Sequence, residues 1–552
     1  MDNSPDPGTL TVMRRRPSLA LALAFALACG PDTASETEHG STGAPGTTTG
    51  EPGTDGQGTT DPGTTDSPPP TTTGEVTTTT TGDPTTDDLT TGTTAPPVVQ
   101  CTEIVIVDPL LEEYLRLRLD VPEGPIPVEL AESLDTIHTS LDVASLAGLE
   151  CFTGLTSIDF IFTEIADLGP LAGLTELTHL TVFGSNIADL GPLAGLVNLR
   201  ELDVSQNPIA SLAPLAGLPL EQLLAAETPA PDLTGLGQIV TLRTLSLGDS
   251  GLSDITELAT LVDLTSLGLS DNQLTDLSPL AGLTALQGLN LSGNQISDLA
   301  PLAGLTALQS LDLSENAIAD LAPLTDLVAL IRLIAEHNTI ADLTPLAGMS
   351  ALAELDLSGN QIVDIGPLAG LHALTEVDLA VNQIVDIAPL ALPALFDLGL
   401  ADNQVVDLAP LLGAPVLDRI DVSRNPFAPS MNSLASHPAL QFVTADAAGL
   451  PGVPEFAVAG LLVLSLQDNA IADLAPLAAY QSLQQIDLTG NDLTELAAIL
   501  DDPWLSQCDY IQVSGNPLDE FTLSTTVPQL CAFPVDLQGA VDEPCWDCFD
   551  HN

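Results

Sequence analysis

Aspartate recurs along the chain at the spacing of a repeating unit. Twelve Asp residues each lie four positions after a position that is usually Asn, and most neighbours in this column are 22 residues apart. Such a column could form a calcium-binding ladder, or each carboxylate could cap the short helical turn that follows it in the sequence D-L-x-P-L. Capping is worth about 1 kcal/mol and offsets the repulsion between neighbouring carboxylates, so we expect capping, with weak, non-specific screening by divalent cations and no dedicated metal site. The column comprises Asp167, Asp189, Asp232, Asp254, Asp276, Asp298, Asp320, Asp342, Asp364, Asp386, Asp407 and Asp473.

No motif in the sequence indicates catalysis. There is no phosphate-binding loop, no GxSxG and no HExxH, and the seven His residues share no common offset within the repeats. An active site needs several reactive groups that converge on a rigid support. We therefore predict no catalytic residue, no cofactor and no enzyme activity.

The seven cysteines lie outside the regular repeats. If Cys29 carries a lipid, six remain, and an even set in an exported chain predicts disulfides whose pairing the sequence leaves open. One candidate is a bridge from Cys508 to Cys531 that holds a C-terminal cap. The CxxC formed by Cys545 and Cys548 can also indicate redox or metal chemistry, but no second CxxC accompanies it, which favours a structural role. The candidate disulfide cysteines are Cys101, Cys151, Cys508, Cys531, Cys545 and Cys548.

The repeat has the pattern L-x-x-L-x-L-x-x-N-x-I-x-D-L-x-P-L-x-x-L-x-x. Its Leu-x-Leu alternation predicts a short strand, and stacking of about 17 repeats predicts one parallel sheet over a leucine core. In the turn after each strand, an inward Asn can bond the backbone of neighbouring repeats. We predict a structural ladder whose central members are Asn272, Asn294, Asn316, Asn338, Asn360 and Asn382.

These repeats resemble the 22-residue class of leucine-rich repeats found in bacterial internalins. The helical stretch VDPLLEEYLRLRL, followed by a Gly-Pro break and the segment VELA, is similar to the internalin-type N-terminal cap. The resemblance implies an α/β solenoid: a right-handed leucine-rich repeat horseshoe with a parallel β-sheet on its concave face, short 3-10 turns on its convex face and a helical N-terminal cap. It also implies a binding scaffold rather than a particular chemistry.

The N-terminal region is typical of an exported protein. Residues 13–29 read MRRRPSLALALAFALAC, a basic stretch followed by an apolar run too short to span a bilayer. The ending Ala-Leu-Ala-Cys resembles a bacterial lipobox with Cys29 as the lipidated residue, although an ordinary cleaved signal with an incidental cysteine is the alternative. Residues 1–12 are unlike a signal, which makes Met13 a candidate start.

Composition divides the remainder of the chain and restricts its partners. We predict a signal peptide over 1–29, a disordered Thr/Gly/Pro-rich linker over 30–98, a helical cap over 99–150, repeats over 151–502, and the last repeat with a Cys-containing cap over 503–552.

The formal net charge is −65, and all ten basic residues are Arg. A surface with this much negative charge repels the phosphates of nucleic acids. We therefore predict no nucleic-acid partner.

Two departures from the repeat pattern suggest binding patches on the open face of the sheet. In the first, LIRLIAEHN stands where neighbouring repeats carry LQSLDLSEN and LAELDLSGN. The alternative is sequence drift, with Arg332 merely pairing with Glu354 in the next repeat. The first patch comprises Ile331, Arg332, Ile334, Glu336 and His337, and the second comprises Phe396, Arg419 and Arg424.

Together these features predict a non-catalytic module that binds a protein or glycan ligand at the bacterial cell surface. The membrane would be reached through the N-terminal lipid anchor and the flexible linker, in the cell envelope or outer membrane, or the protein would otherwise be secreted. The alternative function is a structural envelope protein that serves as an acidic, cation-binding spacer.

Overall fold

The computed structural model describes residues 101–427, 431–455, 460–501, 510–530 and 536–538. The predicted signal segment with Cys29 and the predicted linker over 30–98 lie outside these residues. The same is true of Cys508, Cys531, Cys545 and Cys548, so the predicted C-terminal bridge and the CxxC stay predictions.

The N-terminal cap begins with two helices. Helix α1 (Pro109–Leu119) starts at Asp108, whose side chain accepts the N–H groups of Leu110 and Leu111, and Pro109 occupies the first turn, where a missing N–H costs nothing. Its apolar side chains Leu111 and Leu115 are buried. Helix α2 (Val128–Ser133) follows. Near the other end of the described chain, a π-helical turn over Thr522–Thr526 leads into helix α3 (Val527–Leu530).

Nineteen strands in the described residues form one parallel sheet, and each strand pairs with the strands before and after it in the chain. The strands are β1 Thr136–Thr139, β2 Ser157–Ile161, β3 His179–Phe183, β4 Glu201–Asp203, β5 Gln222–Leu224, β6 Thr244–Ser246, β7 Ser266–Gly268, β8 Gly288–Asn290, β9 Ser310–Asp312, β10 Arg332–Ile334, β11 Glu354–Asp356, β12 Glu376–Asp378, β13 Asp397–Gly399, β14 Arg419–Asp421, β15 Phe442–Thr444, β16 Val463–Ser465, β17 Gln485–Asp487, β18 Tyr510–Gln512 and β19 Asp536–Gln538.

Short 3-10 turns return the chain from one strand to the next. Most begin at or just before a Pro, whose fixed φ suits the first turn of a helix. The 3-10 turns of the described residues are Leu149–Cys151, Gly169–Leu171, Gly191–Gly195, Ala213–Leu215, Leu236–Gln238, Thr256–Thr260, Ser278–Leu280, Ala300–Leu302, Ala322–Leu324, Thr344–Leu346, Gly366–Gly370, Ala388–Leu390, Ala409–Gly413, Asn432–Leu434, Ala475–Ala479 and Ala497–Asp501.

The core lies between the sheet and the 3-10 turns. The middle residue of each three-residue strand points inward, as Leu311 and Leu333 do, and both are fully buried. Because side chains alternate along a strand, the two flanking residues lie on the opposite, open face of the sheet. The strand register aligns them in two columns, which we call the first column (Ser157, His179, Glu201 and onward) and the second column (Asp159, Thr181, Asp203 and onward).

The predicted repeat solenoid, parallel sheet, 3-10 turns and helical cap are confirmed, and strands β2–β18 correspond to the 17 predicted repeats. The structure adds a strand at each end. Strand β1 lies inside the segment predicted as a helical cap, because Thr136–Thr139 pairs with β2 and so extends the sheet into the cap. Among the described residues, no helix has the length and apolar character needed to cross a membrane.

Candidate functional site

All twelve aspartates of the Asp column accept a backbone hydrogen bond. In each case one carboxylate oxygen accepts the N–H of the residue two positions on, at 2.7–3.0 Å, at or near the start of the 3-10 turn. Thr234, Thr256 and Thr344 add a hydroxyl hydrogen bond, which lowers the pKa of the adjacent Asp232, Asp254 and Asp342 carboxyls. These carboxylates therefore stabilise turns.

The asparagines form the predicted ladder. Asn294 is typical: its Nδ2 donates to the carbonyl oxygens of Leu269 in the preceding repeat and of Leu291 and Ser292 in its own. Its Oδ1 accepts the N–H of Leu274. One side chain thus bonds four backbone groups in two neighbouring repeats. The same pattern holds at Asn272, Asn316, Asn338, Asn360 and Asn382.

The residue just before each ladder position has a left-handed backbone, a feature that the sequence analysis missed. All 17 such residues have φ between 46° and 72°, and only five of them are Gly. The frequent Gly and Asp at this offset were the available signal, since these residues tolerate positive φ. Bulky side chains there are unusual and mark strain. Phe162, His337, Val381 and Arg424 occupy such positions.

The first predicted patch is partly engaged within the protein. Arg332 Nε lies 3.0 Å from Oε1 of Glu354, which is the pairing expected from sequence drift. Ile334 is only 6% exposed and is flanked in register by Asp312 and Asp356, so its predicted accessibility is wrong. The rest of the patch is more open: Ile331 and Glu336 are half-buried, and His337 is exposed, with its Nδ1 against Gly359.

The second predicted patch extends over strands β13–β15. Arg419 lies 4.4 Å from the centre of the Phe442 ring, and its Nε is 3.5 Å from Oδ2 of Asp418. Arg424 donates from Nε to Oδ1 of Asp402 at 2.7 Å. Phe396, immediately before β13, is 44% exposed. Both arginines are thus held by neighbouring groups.

A third cluster, missed from the sequence, lies at the ends of β2 and β3. Ile161 and Phe183 face each other in register on the open side of the sheet, and Phe162 follows Ile161 in the turn. The rings of Phe162 and Phe183 meet edge to face at 5.1 Å. Ile161 and Phe162 are 41% and 62% exposed. We call Ile161, Phe162 and Phe183 the Phe162 cluster.

A close approach to glycine positions the Phe162 ring. A Cβ atom on Gly184 would lie 2.7 Å from Cδ1 of Phe162, so the ring occupies the space that any other residue's side chain would fill. The signal in the sequence was the segment IDFIFTEI, where other repeats carry small polar residues after the strand. That signal becomes meaningful only when Gly184 is seen beneath the ring.

A row of alternating imidazoles and carboxylates lies beside the Phe162 cluster. Nδ1 of His138 hydrogen-bonds Oδ2 of Asp159, and Nδ1 of His179 lies 2.7 Å from Oε2 of Glu201. Nε2 of His179 is 3.6 Å from Oδ1 of Asp159. We call His138, Asp159, His179 and Glu201 the His–acid row. Asp203 flanks it, and burial raises the pKa of that carboxyl.

The described residues contain no group of three or more His, Cys, Asp or Glu side chains arranged to hold a metal ion. Cys101 and Cys151 form a disulfide that joins the start of the described chain to the 3-10 turn before β2. Asp487, 5% exposed, has a buried Oδ2 atom that no donor in the described chain reaches.

Comparisons with known proteins agree with this architecture. The family model described as "Leucine Rich repeats (2 copies)" matches residues 175–217, 240–282, 262–304, 284–326 and 350–392. No curated protein matches the chain. The fold is shared with a leucine-rich repeat protein of Leptospira interrogans (20% identity, TM-score 0.55, 74% of this chain and 97% of that one). It is also shared with the plant peptide hormone receptor RGFR1 in complex with RGF2 (16% identity, TM-score 0.51, 75% and 87%).

An internalin (inlF) of Listeria monocytogenes is similar in sequence as well as in fold. It is 34% identical with a TM-score of 0.56, and the match covers 57% of this chain and 96% of the internalin chain. The shared region therefore includes nearly all of the internalin structure. With the repeat pattern, the Asn ladder and the helical cap, this similarity shows that the chain belongs to the internalin-like leucine-rich repeat proteins of bacteria.

Proposed function

We propose that this protein is a non-catalytic binding module, displayed at the bacterial cell surface, whose ligand is a protein that docks on the open face of the sheet near its N-terminal end. The observation that carries this proposal is the exposure of Phe162, which is 62% accessible and packs edge to face on Phe183. A group of exposed apolar side chains costs stability and is typical of interaction sites.

The rigidity of the surroundings supports a binding role. Strands β2 and β3, which carry the Phe162 cluster, are each paired on both sides. Their inward-pointing residues are fully buried, namely Ile158, Phe160, Leu180 and Val182. A ligand that docks on such a sheet does not have to order it, which reduces the entropy cost of binding. Aromatic anchors that bury on docking supply much of the affinity in protein interfaces.

The other functions weighed above receive less support. Leucine-rich repeat proteins are generally binding modules rather than enzymes. The acidic spacer draws its support from the Asp column, whose regularity is accounted for by capping of the 3-10 turns.

Photo-crosslinking tests the proposed docking site. A photoreactive phenylalanine analogue is placed at Phe162 and, as a matched control, at Val240, which is also exposed but lies outside the strands. In intact cells of the bacterium that expresses the protein, we expect light-dependent protein adducts from position 162 and none from position 240. Absence of an adduct at 162, or equal adducts at both positions, would contradict the proposal.

Display through a lipid on Cys29 belongs to the same proposal and has a separate test. Intact mass and membrane fractionation of the wild-type chain are compared with those of Cys29→Ser. We expect a diacylglyceryl mass increment and membrane association for the wild type, and release of the variant. If both chains are unlipidated and released, the protein is secreted, and the anchoring part of the proposal is wrong.

A further inference from the structure

The Phe162 cluster and the His–acid row share one surface. Asp159 lies two residues before Ile161 on β2, and Thr181 lies two residues before Phe183 on β3, all on the open face of the sheet. Two residues along a strand span about 7 Å. An apolar surface with aromatic rings therefore lies within one long side chain's reach of the Asp159 carboxylate.

One carboxylate oxygen in this surface lacks a hydrogen-bond donor among the described residues. Oδ1 of Asp159 is buried, and no donor among the described residues is within hydrogen-bond distance, since Nε2 of His179 is 3.6 Å away. A buried carboxylate oxygen without a donor is costly. The Asp159 side chain as a whole is 24% exposed, so a charged donor from a partner can pair with the carboxylate and offset part of that cost.

Charge restricts what the partner can be. The chain carries a formal net charge of −65, so a positively charged partner is attracted and an acidic one is repelled. A neutral sugar would stack on the rings but would gain nothing from this field. Arginine suits both the apolar and the acidic part of this surface. Its aliphatic stem packs on apolar side chains while its guanidinium pairs with a carboxylate.

We infer that this surface binds a basic segment of a protein, with an arginine side chain whose stem lies on Phe162 and Phe183 and whose guanidinium pairs with Asp159. The inference rests on the proposed function and names the chemistry of its partner. The edge-to-face pair of rings adds a cation–π attraction for the same group.

The test uses the full-length chain and two labelled peptides. One peptide alternates arginine with leucine and glycine, and the other has glutamate in place of every arginine. Fluorescence anisotropy at physiological salt should show binding of the arginine peptide and none of the glutamate peptide. If the arginine peptide does not bind, or if the two peptides bind alike, the inference is wrong.

Two pairs of variants locate the binding. We expect Phe162→Asn and Asp159→Asn each to weaken the arginine peptide about tenfold, because Asn keeps the left-handed turn at 162 and the shape at 159. The matched controls are Phe521→Asn, an exposed phenylalanine just before the π-helical turn, and Asp356→Asn, a second-column carboxylate on β11. The controls should leave the affinity within about twofold of the wild type.

The control variants distinguish binding at the Phe162 cluster from general attraction of the peptide to the acidic surface. If Asp356→Asn weakens binding as much as Asp159→Asn does, the peptide is attracted by the whole acidic surface, and the inference is overturned. Circular dichroism checks that each variant is folded. If position 162 gives a crosslink but the arginine peptide does not bind, the docking site stands and only its basic partner is rejected. If position 162 gives no crosslink, the docking site itself is rejected.

Discussion

Asparagine recurs in the ladder because few side chains can donate two hydrogens and accept one from the same place. At Asn338, Nδ2 donates to carbonyls of Leu313, Ala335 and Glu336, and Oδ1 accepts from Ile318. Two neighbouring repeats are joined by this one side chain. Aspartate would lack the donors, and a hydroxyl such as that of Thr228 reaches only part of the set.

Removal of one ladder side chain should therefore be costly. We predict that Asn294→Ala lowers the free energy of unfolding by about 3 kcal/mol, since it removes the side-chain hydrogen bonds to four backbone groups and leaves the Leu274 N–H without its acceptor. Urea denaturation measures the change. The exposed Asn198 makes one hydrogen bond, to the Thr175 carbonyl, so Asn198→Ala should cost less than about 1 kcal/mol. Equal losses of unfolding free energy for the two variants would show that a ladder Asn contributes no more to stability than an exposed Asn.

Residue types were predictable where the requirement is local. The Asn and Asp columns are visible in the sequence because each side chain bonds the backbone of its own turn or of the preceding repeat. The Phe162 cluster was not predictable, because it needs Gly184 under the ring of a different repeat and a left-handed turn at Phe162. The predicted exposure of Ile334 was wrong for a similar reason, because it depends on the residues beside it in the adjacent strands, Asp312 and Asp356.

At the scale of elements, the N-terminal cap closes the open end of the leucine core. Helix α1 buries Leu111 and Leu115, and β1 completes the sheet next to β2. The cap is held by the disulfide between Cys101 and Cys151, which are separated by 50 residues. Its helices were predictable from apolar spacing, whereas β1 is four residues long and has too little alternation to be recognised.

Loss of this disulfide should destabilise the cap. Closing a loop of this length contributes about 4 kcal/mol through the unfolded chain, so we predict that a Cys101→Ser, Cys151→Ser variant loses several kcal/mol of stability. Amide hydrogen exchange should rise in α1 and β1 while the central strands β7–β12 stay protected. Uniform loss of protection along the sheet would instead mean that the cap and the repeats unfold as one unit.

At the scale of the whole molecule, acidic groups fall into two classes with opposite effects of pH. Burial raises the pKa of Asp203, Asp446 and Asp487, so holding them ionised costs stability. Hydrogen bonds to threonine lower the pKa of capping residues such as Asp254 and Asp342, so their ionised forms stabilise the fold. The first class favours the folded state increasingly as pH falls toward the ordinary aspartate value of 3.8. The second loses its contribution below that value.

We therefore predict that the melting temperature is highest at mildly acidic pH and falls on either side. Relief of repulsion within a chain of net charge −65 adds to the gain on acidification. Thermal unfolding at low protein concentration from pH 3 to pH 8 tests this. Asp487→Asn should flatten the decline toward pH 8, and Asp342→Ala should flatten the decline below the maximum. A melting temperature that rises steadily up to pH 8 would contradict the prediction.

Strict pairing between neighbours also bears on how such a chain evolves. No strand of the described residues pairs with a distant part of the sequence, so recombination that inserts or deletes one whole repeat would let the strands on either side pair in the same way. The N-terminal cap cannot be exchanged in this way, since it covers an otherwise open core. We therefore expect the number of repeats and the chemistry of the open face to vary more readily than the cap.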